Sequence, residues 1–364
     1  MSNELNKSNN FDLLRLIFAC LVFLYHSTVL FGYKTENILF NLPHLAVQGF
    51  FIISGFLIVW SFDRNKDILQ YSIKRFFRIY PLYFFIIVTQ AAIMTILPNS
   101  FNFSNIIKYL ISNLTFLNFL SPSIGTILNH LKIDAINGSL WTLKIEVVFY
   151  ILLPVIYFLY KKFGRTFLLI LYLFSACYCL LVKDPFFSVL FPIYLRFFII
   201  GILLYFYGLK LINFLKNNKI MVISLFIIFL FADIFIKNDV FKSFIYPISL
   251  GMTVLISAFC LPYKKLPLDI SYGVYVIHFP VVQLLMLLNV LNNNYKLFLL
   301  LSGVIVFALS ILSAIFIEKP YISLGHNLSK KYNVKYYNIK QKLPWKDLVL
   351  GSFMLKNFKS KLED

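Results

Sequence analysis

Long apolar runs dominate the pattern of side chains along this chain. Stretches of about 17 to 25 mostly apolar residues recur ten times, separated by polar positions. Such runs predict membrane-spanning helices, because a helix satisfies its own backbone hydrogen bonds where no water is present. The ten predicted spans are Phe11–Phe31, His44–Phe62, Ile79–Leu97, Leu140–Tyr160, Thr166–Val182, Leu190–Gly208, Ile220–Ile236, Phe244–Pro262, Ile270–Leu291 and Leu297–Ile317.

Composition agrees with a chain that lies mostly in lipid. Of the 364 residues, 60% are apolar and 13% are charged, whereas a soluble domain has about 45–50% and about 25%. The predicted fold class is therefore all-α, a polytopic membrane protein of about ten helices, and soluble, disordered and fibrous classes are excluded. All four cysteines lie inside apolar runs, which favours buried thiols over a disulfide or metal framework.

Basic residues predict the orientation of the bundle. The loops on one side carry 13 Lys and Arg, and the longer loops on the other side carry seven. Cytoplasmic loops collect Lys and Arg, so the first side is predicted to be cytoplasmic, with both termini on it. The 13 are Arg64, Lys66, Lys74, Arg75, Arg78, Lys161, Lys162, Arg165, Lys210, Lys216, Lys219, Lys264 and Lys265.

The chain is predicted to divide into a transmembrane domain, 1–320, and a basic cytoplasmic tail, 321–364. From Glu318 onward there are ten lysines and no long apolar run, so the tail is expected to lie against the anionic lipids of the inner leaflet. Topology and tail together account for most of the net charge of +19. We therefore expect membrane lipids as partners and no nucleic acid.

Two ionisable residues interrupt the first span. Arg15 and His26 are eleven residues apart, and this spacing places both on one face of a helix, about 16.5 Å apart along its axis. That distance is of the order of an extended pantetheine arm. The alternative is an arginine that reaches toward the headgroups and a histidine that bonds to a neighbouring helix.

Glu146 is predicted to lie at a depth similar to that of His26. A lone carboxylate inside a membrane needs a partner, and His26 is the predicted one, with Lys144 as the rival. A histidine held by a carboxylate through one ring nitrogen is suited to accept a proton from a sugar hydroxyl at the other. Trp141 is placed either to anchor the helix at the interface or to stack on a sugar ring.

Arg75 and Arg78 form a pair at positions i and i+3 near the membrane surface. Guanidinium groups bind phosphate oxygens through two hydrogen bonds, and an acyl-CoA donor carries three phosphate groups. Anchoring by positive charge is the alternative and is favoured by spacing alone. His278 is predicted to be structural, since no carboxylate lies near it in the sequence, and no histidines have metal-ligand spacing, so no metal is expected.

Four segments, taken together, resemble the acyltransferase 3 family of integral-membrane acyltransferases. They occur in the family's order between positions 11 and 320. The segments are FDLLRLIFACLVFLYHS; QGFFIISGFLI followed by KRFFRIYPLY; NGSLWTLKIEVVFYILLP; and DISYGVYVIHFPVV with a closing EKP. Members of this family modify cell-surface and secreted glycans. The resemblance also implies ten helices and an inner N-terminus.

The resemblance implies a role for each matched residue. His26 matches the catalytic histidine and Arg15 the arginine that accompanies it. Arg75 and Arg78 match the arginines associated with binding of the donor. The segment that holds Glu146 and Trp141 matches the fourth-helix motif, and Lys144 receives no role.

The resulting hypothesis is a membrane O-acyltransferase of the bacterial cytoplasmic membrane. It would transfer an acetyl group from acetyl-CoA to a hydroxyl of a surface polysaccharide or its lipid-linked precursor. His26, oriented by Glu146, would act as a general base or as a transient acyl carrier, and both routes are open. The alternatives are a proton-coupled transporter or flippase for a glycan or lipid-linked substrate, in which the same groups form a pathway, and a non-catalytic scaffold.

Overall fold

A computed structural model describes residues 9–96, 102–184, 187–236 and 238–342. Within these ranges the regular structure is helical and contains no strand, which confirms the all-α prediction. Seven of the described helices are long and apolar enough to cross a membrane. Three shorter apolar helices coincide with the fifth, seventh and ninth predicted spans. The predicted end of the third span at Leu97 and part of the tail, 343–364, lie outside the described residues.

The helices are numbered in chain order, and not all of them correspond to predicted spans. They are α1 Phe11–Phe31, α2 Pro43–Asn65, α3 Ile68–Ile96, α4 Phe103–Leu114, α5 Trp141–Phe163, α6 Arg165–Leu181, α7 Phe191–Leu203, α8 Leu209–Lys216, α9 Lys219–Phe235, α10 Tyr246–Phe259, α11 Ser271–Leu287, α12 Tyr295–Ser313 and α13 Lys319–Lys342. Three π-helical turns occur at helix junctions: Leu204–Gly208 after α7, Phe241–Ile245 before α10 and Ala314–Glu318 between α12 and α13.

The third helix begins eleven residues before the predicted start of its span. The carboxylate of Asp67 accepts a hydrogen bond from the backbone N–H of Gln70, which caps the first turn and lets the helix start at Ile68. Arg75 and Arg78 therefore lie within α3. The described part of the tail continues as α13 and packs along α3, where the rings of Phe77 and Tyr321 are stacked.

The backbones of α2 and α7 are nearly in contact where these helices cross. A Cβ atom on Gly55 would lie 2.3 Å from the carbonyl oxygen of Phe198, and one on Gly201 would lie 2.2 Å from that of Ile52. Small residues permit such close approach, which stabilises helix pairs in membranes through van der Waals contact. The crossing also fixes the position of Ser54, the neighbour of Gly55, at the wall of a central cavity.

Replacing Gly55 by alanine is expected to destabilise the bundle by about 1–3 kcal/mol, as overpacked cores do. The added methyl group would meet a backbone carbonyl, which cannot rotate away. Thermal unfolding in detergent would measure the effect. Gly303→Ala is the matched control, because its Cβ would lie at an ordinary 3.8 Å from Phe23. Equal unfolding temperatures for the two variants would show that the crossing is looser than described.

Candidate active site

A cavity of about 110 Å³ with both apolar and charged lining residues lies inside the bundle among α1, α2, α3, α5 and α11. Its charged lining residues are Arg15, Arg75, Arg78 and Glu146, so the structure brings together four of the predicted site residues. Its polar, uncharged lining residues are Ser54, Thr142, Tyr150, Ser271, Tyr272 and Tyr275. We call this space the arginine cavity.

Asp269, which the sequence analysis did not single out, holds two of the arginines in place. Its Oδ2 atom lies 3.1 Å from Nη2 of Arg15 and 2.9 Å from Nη2 of Arg78. Its Oδ1 atom accepts hydrogen bonds from the backbone N–H and the hydroxyl of Ser271, the first residue of α11. Asp269 thus binds the first residue of α11 and aligns two guanidinium groups from α1 and α3.

The pKa of Asp269 reflects this environment. Burial alone raises the pKa of its carboxyl group, but the charges of Arg15 and Arg78 and the hydrogen bond from Ser271 outweigh burial and hold the pKa well below its usual range. The group is therefore ionised at any physiological pH. The carboxylate therefore keeps its negative charge beside both guanidinium groups.

Two of the arginines that line the cavity retain unused hydrogen-bonding capacity. Among the described residues, the Nε atoms of Arg15 and Arg75 are buried and have no hydrogen-bond partner. Nη2 of Arg75 lies 3.3 Å from the hydroxyl of Ser61. Buried donors without acceptors are rare in proteins, and phosphate oxygens are acceptors that suit guanidinium groups.

Glu146 does not pair with His26, so this prediction is wrong. Its Oε1 atom accepts hydrogen bonds from the hydroxyls of Ser54, at 2.8 Å, and Tyr150, at 2.5 Å. Tyr150 follows Glu146 by one helical turn on the same face of α5, and Ser54 approaches from α2. The two hydroxyls hold the side chain of Glu146 at the wall of the arginine cavity. Lys144 lies elsewhere, with its Nζ atom 4.8 Å from the ring of Phe119.

His26 pairs instead with His278, which the sequence analysis had taken as structural. The Nδ1 atom of His26 lies 2.8 Å from Nε2 of His278, and the two rings are inclined by 13°. His278 is completely buried on α11, whereas His26 is partly exposed. No spacing rule connects these residues, which are 252 positions apart. The only signal was that each is an ionisable group inside a predicted span.

Tyr275 lies between the arginine cavity and the histidine pair. It lines the cavity, its ring centroid is 6.0 Å from that of His278, and its hydroxyl is 2.6 Å from that of Thr142. His26 itself is not among the lining residues of the cavity. The arginines and the histidine pair are therefore adjacent sites, with an aromatic ring at their boundary.

A second pocket, of about 340 Å³, contains Trp141. We call it the Trp141 pocket; it also includes Phe119, Lys144 and Gly138. A Cβ atom on Gly138 would lie 2.7 Å from the ring of Phe279, and that ring is 5.1 Å from the ring of His26. The histidine pair is thus next to the Trp141 pocket on one side and the arginine cavity on the other. A volume of this size is at the lower end of the usual range for ligand pockets.

Comparison with known proteins connects this arrangement of residues to a family. The family model described as "Acyltransferase domain" matches residues 8–318, most of the chain. The chain belongs to the acyltransferase 3 family. The resemblance inferred from the four sequence segments is confirmed, and the helical structure supports an integral membrane protein.

Two relatives illustrate the membership of this acyltransferase 3 protein. It is 31% identical to the "O-acetyl transferase" of Shigella phage Sf6 over 332 residues, which covers 88% of this chain and 97% of the relative. It is 28% identical to "Nodulation protein 10" of Rhizobium leguminosarum bv. viciae over 173 residues, which covers 43% of this chain and 46% of that protein. No solved structure gives a significant match. Family and relatives support a membrane O-acyltransferase.

Proposed function

We propose that this protein transfers an acetyl group from acetyl-CoA to a hydroxyl of a surface polysaccharide or its lipid-linked precursor. The proposal includes ten membrane crossings, both termini in the cytoplasm and the bacterial cytoplasmic membrane as location. It is carried by the order of three adjacent sites through the bundle: the arginine cavity, the histidine pair and the Trp141 pocket. In this topology the first faces the cytoplasm, where acetyl-CoA is made, and the last faces the outside, where the glycan is.

The arginine cavity supports the part of the proposal that concerns the donor. Arg15, Arg75 and Arg78 converge on it from two helices, and only Glu146 among its lining residues is acidic. Guanidinium groups held by Asp269 are already oriented, so little side-chain entropy is lost when a phosphate binds. The phosphates of acetyl-CoA would bind here, and the pantetheine arm would carry the thioester past Tyr275 toward His26.

His26 is the residue proposed to act on the acceptor. Its imidazole would take the proton of the sugar hydroxyl while the oxygen attacks the thioester carbonyl. The carbon–sulfur bond then breaks, and the departing CoA thiolate takes up the proton from the imidazolium ring. The same ring nitrogen would be acylated in a two-step route, so trapping of an acyl-histidine with labelled donor distinguishes the two.

Trp141 is proposed to bind the acceptor by stacking on a sugar ring. Trp141→Ala is expected to raise the KM for the glycan about tenfold, because aromatic stacking is worth about 0.5–1.5 kcal/mol, while the KM for acetyl-CoA stays unchanged. Initial rates measured against each substrate would show the difference. Trp60→Phe, in α2 near Arg64, is the control and should change neither value. A rise in both KM values for Trp141→Ala would show that Trp141 supports the folded structure and does not bind the glycan specifically.

Purified protein in liposomes with acetyl-CoA outside provides the direct test. Free CoA should accumulate beyond one equivalent per enzyme at the face exposed to donor only when an acceptor glycan is present, and the glycan should gain an acetyl group detectable by mass spectrometry. A transporter or flippase would move the glycan across the bilayer with no release of CoA. Sustained release of CoA over many turnovers without glycan, or translocation without acetylation, would contradict the proposal.

A further inference from the structure

The hydrogen bonds of His278 determine where its proton resides. Its Nδ1 atom lies 3.0 Å from the carbonyl oxygen of Val274, one turn earlier in α11. A carbonyl oxygen only accepts hydrogen bonds, so Nδ1 of His278 carries a hydrogen atom. The ring is completely buried and contacts His26, Phe23, Tyr275 and Phe279.

None of these contacting side chains is acidic, so none of them carries a charge that would offset a positive charge on His278. An uncompensated charge in an apolar interior costs several kcal/mol, which makes the neutral ring the stable form. In a neutral ring with its hydrogen on Nδ1, the Nε2 atom holds a lone pair and is an acceptor.

The neighbouring ring must then donate. Nδ1 of His26, 2.8 Å away, carries the hydrogen that this bond needs, and Nε2 of His26 is left with a lone pair. The ring centroids are 5.1 Å apart with an inclination of 13°, so the hydrogen bond lies close to the plane of both rings. That is the direction of the lone pair on Nε2 of His278, which makes the bond geometrically favourable.

We propose that His278 is a positioning residue that fixes His26 in its Nδ1-protonated form and presents the Nε2 lone pair of His26 to the reacting hydroxyl. The backbone carbonyl of Val274 keeps a hydrogen atom on Nδ1 of His278. The hydrogen bond between the two imidazoles then keeps the hydrogen of His26 on its Nδ1 atom and leaves its Nε2 atom with a lone pair. This inference rests on the proposed function, in which His26 is the base. Without His278, the ring of His26 would populate both tautomers and lose its fixed orientation.

Two substitutions at His278 separate positioning from packing. His278→Gln can place an amide oxygen near the former Nε2 position and accept from His26, whereas His278→Leu keeps an apolar volume without an acceptor. We expect kcat to fall by about 100-fold or more for His278→Leu and by less than about tenfold for His278→Gln, with both KM values unchanged. Val282→Ala removes buried volume one turn later on α11 and should lower thermal stability without lowering kcat.

Nitrogen-15 NMR of histidine-labelled protein tests the tautomer independently of activity. In the wild type, His26 and His278 should both be neutral and protonated on Nδ1, with the signals assigned by comparison with His26→Ala. His278→Gln should retain the Nδ1-protonated signal of His26, and His278→Leu should lose it. This readout applies even where a variant is poorly active.

The outcomes distinguish this inference from the proposed function. Wild-type kcat in a folded His278→Leu variant, or a His26 ring protonated on Nε2, would overturn the inference and leave the acyltransferase proposal intact. Full activity of His26→Ala would overturn the role of His26 even if the NMR spectrum shows the predicted tautomer.

Discussion

His26→Ala is expected to lower kcat for acetyl transfer by about 1,000-fold, within the range that a general base contributes, or more if an acyl-histidine forms. The substitution removes the nitrogen proposed to accept the hydroxyl proton. It leaves the arginine cavity unchanged, since His26 is not among the lining residues of that cavity. Transfer of labelled acetyl groups to glycan in liposomes would give kcat, and equilibrium binding of acetyl-CoA would show an unchanged Kd.

His130→Ala is the control for this variant, because His130 is exposed in the loop between α4 and α5. It should retain the wild-type rate. Transfer by His26→Ala within a few-fold of the wild type would show that the proton is taken by another group. A large loss of donor affinity would instead place His26 at the donor site.

The second large effect is expected at Asp269. Asp269→Ala leaves the guanidinium groups of Arg15 and Arg78 without their shared partner, and breaking a buried ion pair typically costs about 3–5 kcal/mol. The side chains of Arg15 and Asp269 are 20% and 21% exposed, so we expect about 3 kcal/mol, the low end of this range. Unfolding temperature should fall, and the KM for acetyl-CoA should rise about tenfold as the arginines lose their alignment.

Asp239→Ala is the matched comparison. Asp239 pairs with Lys183 at a similar distance, 3.0 Å, but both side chains are 66% exposed, and water screens such pairs. No measurable change in stability or donor KM is expected. Arg15→Ala combined with Asp269→Ala should destabilise less than the sum of the two single substitutions, because the partners share one interaction. Strict additivity would show that Asp269 does not hold Arg15.

The pH dependence of the stability that the ion pairs of Asp269 contribute follows from the lowered pKa of Asp269. A carboxyl group with a depressed pKa contributes stability above its unfolded-state value of about 3.9, and this contribution is lost as the pH falls toward the lower folded value. The difference in unfolding temperature between the wild type and Asp269→Asn should thus be constant from pH 8 to pH 5. A difference that shrinks across this interval would mean that Asp269 is protonated near neutrality.

The sequence was sufficient for features that depend on neighbours along one helix. Phe11–Phe31 was predicted with the bounds that the structure has, since the apolar run is closed by Gly32 in a left-handed conformation. Arg15 and His26 were predicted to lie on one helical face. In the structure both contact one continuous segment, Arg15 through Asp269 and His26 through His278 on α11. Periodicity is a property of the local chain, so it can be read without knowing what packs against it.

Features that depend on distant parts of the chain were not predictable in this way. Depth in the membrane put Glu146 and His26 at a similar level, but depth does not fix which way each helix is rotated. The same limitation hid Asp269 and His278, whose partners on α1 are about 250 positions away. The hydrogen bond between Glu146 and Tyr150 could have been predicted from the sequence, because these residues are one helical turn apart.

Two contacts connect α1 to the segment that contains Asp269 and α11. One is the ion pair of Arg15 with Asp269, and the other is the hydrogen bond of His26 with His278. A shift of one helix along the other by a single residue would break both contacts at once. The two helices also pack directly against each other, so the loss of either contact alone leaves the register in place, and single variants at this site report on chemistry while the helices stay aligned.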